Sequence, residues 1–201
     1  MKSKMMLFAA IGICAVQMVH VVGQESQGQT AGAKADPMAG KTFSLSGNVA
    51  QGYHELQRNL TEAAQKMSDQ DYTFRATPAV KPYGQLIAHV ALDQFRTCSM
   101  LKGEANPRKD EKEETTRTKT EAIALLEAST RYCDPLVDSF NDAMMPELVA
   151  VDNFKAAKGL FPMRLVAHGA EMYGVMTVYL RLKGIVPPST EKMQREMDKQ
   201  K

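Results

Sequence analysis

Val49, Tyr53, Leu56, Leu60, Ala63 and Met67 follow one another at intervals of 4, 3, 4, 3 and 4 positions. That rhythm stacks them on one stripe of an α-helix, and it would scatter them over both faces of a strand. The rhythm returns in Ile123, Leu126, Thr130, Cys133, Val137, Phe140 and Met144. It returns again in Phe161, Leu165, His168, Met172, Val175, Tyr179 and Leu182. A further segment, from Pro82 to about Leu101, carries Leu86, His89, Asp93 and Met100 on one face and Ile87, Ala91, Cys98 and Leu101 on its neighbour, so it is expected to be deeply embedded. No sustained alternation of the strand kind interrupts these stretches. Four long amphipathic segments predict an all-α protein, a four-helix bundle over residues 44–188.

The punctuation between the segments agrees with this division. Ser44 or Ser46 can cap the first helix, and Pro82 is acceptable in the first turn of the second. The stretch "SDQDYTFRATPAVKP" reads as a connection. "KGEANPRKDEKEETTRTK" is dense in charge and reads as a solvated loop or an exposed helix start. Pro135 is expected to kink or divide the third helix, and "PELVAVDNFKAAKG" shows no period and reads as a longer connection. Gly184 and Pro187-Pro188 end the fourth helix. The charged tail, residues 189–201, reads as a short, loosely held helix.

The opening residues belong to none of this. Lys2 and Lys4 are followed by an almost uncharged apolar run to Gly23, which describes a secretory signal peptide over residues 1–23. An uncleaved membrane anchor is the competing reading, since the run is nearly long enough to span. Residues 24–43, small and polar, read as a flexible linker. Cleavage after Gly23 would remove two lysines and bring the formal charge of +2 to about zero. Acidic and basic residues are interspersed, so no nucleic-acid partner is expected. The mature protein is expected in the periplasm or outside the cell, free of the membrane. Cys14 leaves with the signal, and Cys98 and Cys133 then either pair in an oxidising compartment or lie buried as thiols.

Three histidines remain. His54 lies off the first stripe and is expected to be exposed, whereas His89 and His168 occupy positions otherwise held by Leu, Met and Val. Asp93 follows His89 by four residues and Glu171 follows His168 by three, so each pair can share a helical face. Imidazoles and carboxylates directed inward from facing helices are the material of metal sites in bundles. A hydrogen-bonded core histidine is the plainer alternative for each residue taken alone. No phosphate-binding glycine loop, nucleophile elbow or heme-attachment spacing is present.

"PYGQLIAHVALDQFRTCSMLKGE" and "LVAHGAEMYGVMTVYLRLKGIVPPS" resemble the second- and fourth-helix signatures of the DinB-like superfamily of bacterial proteins. "NLTEAAQKMSDQDYTFRATP" is similar to that family's first helix and the connection after it. The resemblance implies a four-helix bundle with long crossover connections, frequently a homodimer. It also implies one divalent metal, zinc or nickel, held by three histidines: one from the second helix and two, four residues apart, from the fourth. Carried over by position, His89 and His168 match two of them, and Met172 stands where the third should be. Glu171 either completes the ligand set or neighbours it. Relatives include thiol-dependent transferases, a mycothiol-dependent isomerase and metal-dependent hydrolases. Two functions follow as expectations. One is an exported bundle with a degenerate metal site, a non-catalytic or binding protein of unknown ligand. The other is a divalent-metal-dependent hydrolase or thiol transferase using His89 and His168 with Glu171 or Asp93.

Overall fold

A computed structural model describes residues 43–200 except Thr116 and Asp152; the expected signal peptide, nearly all of the linker and Cys14 lie outside the described residues. Helices α1 (Leu45–Lys66), α2 (Tyr83–Lys102), α3 (Lys119–Asp138) and α4 (Leu160–Leu182) form the bundle, and α5 (Pro188–Asp198) follows. The Ser44 hydroxyl accepts a hydrogen bond from the Gly47 amide at 3.0 Å and so caps α1. Asp142, in the turn after α3, accepts from the Ser46 and Leu45 amides at 2.7 and 3.3 Å. This carboxylate thus takes up two of the amide groups that a helix start leaves without intrahelical acceptors. Thr118 and Glu121 make a reciprocal capping box at the start of α3.

Cross-helix contacts give the direction of each helix. Gln94 and Cys98 of α2 meet Ser129 and Cys133 of α3 in the same order, so these two run parallel. Asp93 meets Arg164, His89 meets His168, and the carbonyl of Lys81, just before α2, accepts from Tyr179, so α4 runs antiparallel to α2. The segment 103–118 must therefore travel back along the bundle before α3 can begin. It passes the flank of α2 and sets Glu113 against His89 and Lys81. Helix α2 packs on α3 and α4, and α1 packs on the same two.

The core is made as the stripes predict on α1, where Tyr53, Leu56, Leu60, Ala63 and Met67 are buried. Helix α2 is the most enclosed, with buried residues on both expected faces. Cys98 and Cys133 form a disulfide with a Cα separation of 5.7 Å, ordinary for such a bridge.

Three local expectations need correction. Helix α3 is assigned without interruption through Pro135 and ends at Asp138, leaving Phe140 and Met144 beyond it. Pro135 sits in the last turn, so the only helical donor it removes is the one to the carbonyl of Arg131, an exposed residue where water can take its place. The expected plain connection contains an antiparallel hairpin, β1 (Leu148–Val151) with β2 (Phe154–Ala157). On α4, Phe161, Leu165 and Tyr179 of the expected stripe are buried, but the buried line also runs through Gly169, Tyr173, Met176 and Leu180, while Leu182 is 58% exposed. A Cβ on Gly169 would stand 2.6 Å from Leu56 Cδ2. The missing side chain therefore lets α1 seat against this line of α4, turned from the expected stripe, and His168 and Met172 fall on its half-buried flank.

Candidate metal centre

His89 and His168 do meet. Their Nε2 atoms are 3.1 Å apart and the rings lie edge to face. His168 has an 18% exposed side chain and His89 a 28% exposed one, so the pair is shielded by the α2–α4 seam without being sealed in. Each outer nitrogen has a carboxylate. Glu113 bonds His89 Nδ1, and Glu171 lies 3.4 Å from His168 Nδ1. A carboxylate on Nδ1 fixes the orientation of each ring, and the two Nε2 atoms lie within hydrogen-bond distance of each other.

Asp93 is the carboxylate nearest that point, 3.9 Å from His168 Nε2, with a side chain only 10% exposed. It is engaged elsewhere: Arg164 donates to it at 2.8 Å and Arg96 at 3.1 Å. Burial raises the Asp93 pKa, but the bonds and charge of the two arginines outweigh it and hold the carboxyl below its ordinary range. Glu113 follows the same logic, with burial opposed by Lys81 and His89 and the net shift downward. Beside the pair, α2 and the 103–118 segment enclose an open cleft of about 430 Å³ lined in part by His89, Asp93, Arg96, Arg108 and Glu113.

The residues suit half of the divalent site that the resemblance implies. Two nitrogens on one tetrahedral zinc stand about 3.3 Å apart, close to the separation seen here. The remainder of the shell does not follow. Met172 lies one turn beyond His168, half-buried against the main core, and offers a thioether. Glu171, 68% exposed, sits at the far nitrogen. Among the described residues no group of three His, Cys, Asp or Glu side chains is disposed to hold a metal ion. His54 is half-exposed, paired with Asp138 at 2.7 Å, and lies away from the centre.

Sequence reasoning brought His89, His168, Asp93 and Glu171 together, and it missed Glu113 and Arg164. Glu113 lies in the charged segment, whose composition offers no register. Arg164 does carry a signal, since it stands four residues before His168 as Asp93 stands four after His89 in the antiparallel partner.

The chain matches the DinB superfamily model over residues 53–157, which includes His89 and stops short of His168. No curated protein matches it in sequence. Similar solved structures include a DinB-like protein from Bacillus cereus, with a TM-score of 0.60 and 16% identity over 72% of this chain and 96% of that one. A DinB-like protein from Bacillus subtilis gives 0.56 and 16% over 68% and 92%. YfiT from Bacillus subtilis gives 0.52 and 16% over 72% and 92%, and is described as a probable metal-dependent hydrolase with an unusual four-helix bundle topology. At these identities the likeness carries the fold. With the family model spanning more than half its length, the chain belongs to the DinB superfamily.

Proposed function

We propose that this is an exported DinB-superfamily bundle whose divalent-metal centre has degenerated, and that it acts as a binding protein. The observation that carries the reading is the state of the third ligand position. By the family pattern Met172 stands there, and Asp93, the carboxylate nearest the Nε2 pair among the described residues, is tied to two arginines. A neutral thioether is a weak ligand for zinc or nickel, and recruiting Asp93 would strip Arg96 and Arg164 of their partner. Export is supported by the opening basic and apolar run and by the Cys98–Cys133 bridge, which suits an oxidising compartment.

Metal content by mass spectrometry tests this on protein purified without chelators, beside a Met172→His variant. The wild type is expected to carry well under one zinc or nickel per chain and the variant about one. A stoichiometric divalent metal in the wild type would return the chain to the second reading, a metal-dependent hydrolase or thiol transferase. That reading is favoured by one feature alone, the convergence of the two Nε2 atoms. There the bound metal would activate water or a thiol, and His89 and His168 would hold it.

A further inference from the structure

We propose that the cleft between α1 and α3 binds a free α-amino acid, with Asp134 taking its ammonium and Gln57 and Arg58 its carboxylate. This seam lies opposite the histidine pair, since α1 and α2 each pack on both α3 and α4. The proposal stands whether or not that pair holds a metal.

The cleft measures about 450 Å³ and is lined in part by His54, Gln57, Arg58, Glu62, Thr130 and Asp134. Two enclosed atoms of these residues, Gln57 Nε2 and Asp134 Oδ1, have no hydrogen-bond partner in the protein. Gln57 is only 4% exposed. Its Oε1 is committed, accepting from Gln94 at 3.0 Å and from Thr130 at 3.1 Å, so Nε2 is left over as a donor. Asp134 follows Thr130 by one turn on the facing helix, which puts a spare acceptor near the spare donor. Native interiors leave few such groups unmet, because each is costly. Both atoms lie beneath the cleft surface, so a ligand reaches them through a rotamer change of the side chains above, a common adjustment on binding.

The charges select the ligand. Asp134 and Glu62 form no ion pair among the described residues, and Glu55, the acid beside Arg58, is held by Lys192. His54 is already paired with Asp138 at 2.7 Å. A simple anion would meet Asp134 and Glu62, and a simple cation would meet Arg58 and leave the Gln57 donor unused. A neutral amide would leave the unpaired charges as they are. A small zwitterion complements both signs and both spare atoms.

The experiment is a thermal-shift screen of the purified protein, disulfide intact, against the standard L-amino acids one at a time at millimolar concentration. Calorimetric titration of the most stabilising one follows. It is expected to bind once per chain, with EDTA present or absent. Its N-acetyl and carboxamide derivatives, each lacking one charge, should bind about tenfold more weakly or worse, as should the amino acid itself to Asp134→Asn and Arg58→Gln. Arg58 is exposed, so that variant keeps the fold even where Asp134→Asn does not, and a melt of each checks this. No stabilisation by any amino acid overturns the proposal, as does undiminished binding by either folded variant or of either derivative. Binding lost in EDTA would move the ligand to the histidine pair and overturn it too. None of these results bears on the metal content that tests the degenerate-centre reading.

Discussion

Helix α2 presents two polar centres from adjacent residues, and they are built on opposite terms. Gln94 faces inward. Its amide donates to Gln57 at 3.0 Å and accepts from Ser129 at 2.7 Å, while Thr130 donates to Gln57 at 3.1 Å. This cluster is neutral, buried and spread over three helices. Asp93, one residue earlier, faces the α2–α4 seam, where imidazoles, carboxylates and arginines sit beside an open cleft. Uncharged amides can be enclosed at modest cost once paired, whereas charges need partners and some water. The inner centre thus ties helices together, and the outer one keeps ionisable groups poised at a surface.

Removing the bridge beside the inner centre should have the largest effect. Cys98→Ala with Cys133→Ala opens a loop of 35 residues, and the chain-entropy estimate puts the cost near 4 kcal/mol. Chemical denaturation reads it, and a loss below about 1 kcal/mol would mean that packing alone holds α2 to α3.

Gln94→Leu should rank next. It deprives Gln57 and Ser129 of a buried partner, for a loss of about 1–3 kcal/mol that depends little on pH.

Asp93→Asn should cost less at neutral pH, about 1 kcal/mol, since both arginines are half in solvent. Here pH matters. The folded Asp93 pKa is depressed, so its contribution is fully present above the unfolded value near 4 and is lost as pH falls through the folded value. Melting curves of the wild type and Asp93→Asn should therefore converge on acidification, while those of Gln94→Leu stay apart. Parallel curves for all three would erase the distinction between the centres.

The smallest expected change in stability is that of Glu113→Gln, within about 0.5 kcal/mol as for an exposed pair. Its signature lies in the His89 ring. Nitrogen NMR should show a change in the Nδ1 environment as the charged partner is lost, and any metal taken up at Nε2 should bind about 10–100-fold more weakly.

How far the sequence could be read follows from where the information is local. The stripe of α1 and the two faces of α2 announce themselves because periodicity is written within each helix. The turn of α4 is not written there. It depends on Gly169 admitting Leu56 of α1, a contact between positions more than a hundred residues apart, so the stripe through His168 and Met172 is only half right. The hairpin at 148–157 escapes because strands of four residues are too short for alternation to show. His89 and His168 could be paired because both sit at helical positions of a recognisable pattern. Glu113 could not, because its place is set by the path of an irregular segment.

That path governs how the chain reaches its native state. Helices α2 and α3 run parallel, so they cannot zip together from a tight turn as neighbours in an up-and-down bundle do. Their pairing waits until segment 103–118 has been laid along the molecule, a non-local step of the kind that slows folding. Cys98 and Cys133 meet only at its end, and the covalent ring they close contains residue 113. Once closed, that ring keeps α2 and α3 side by side, so oxidation shortens the search that segment 103–118 makes on refolding.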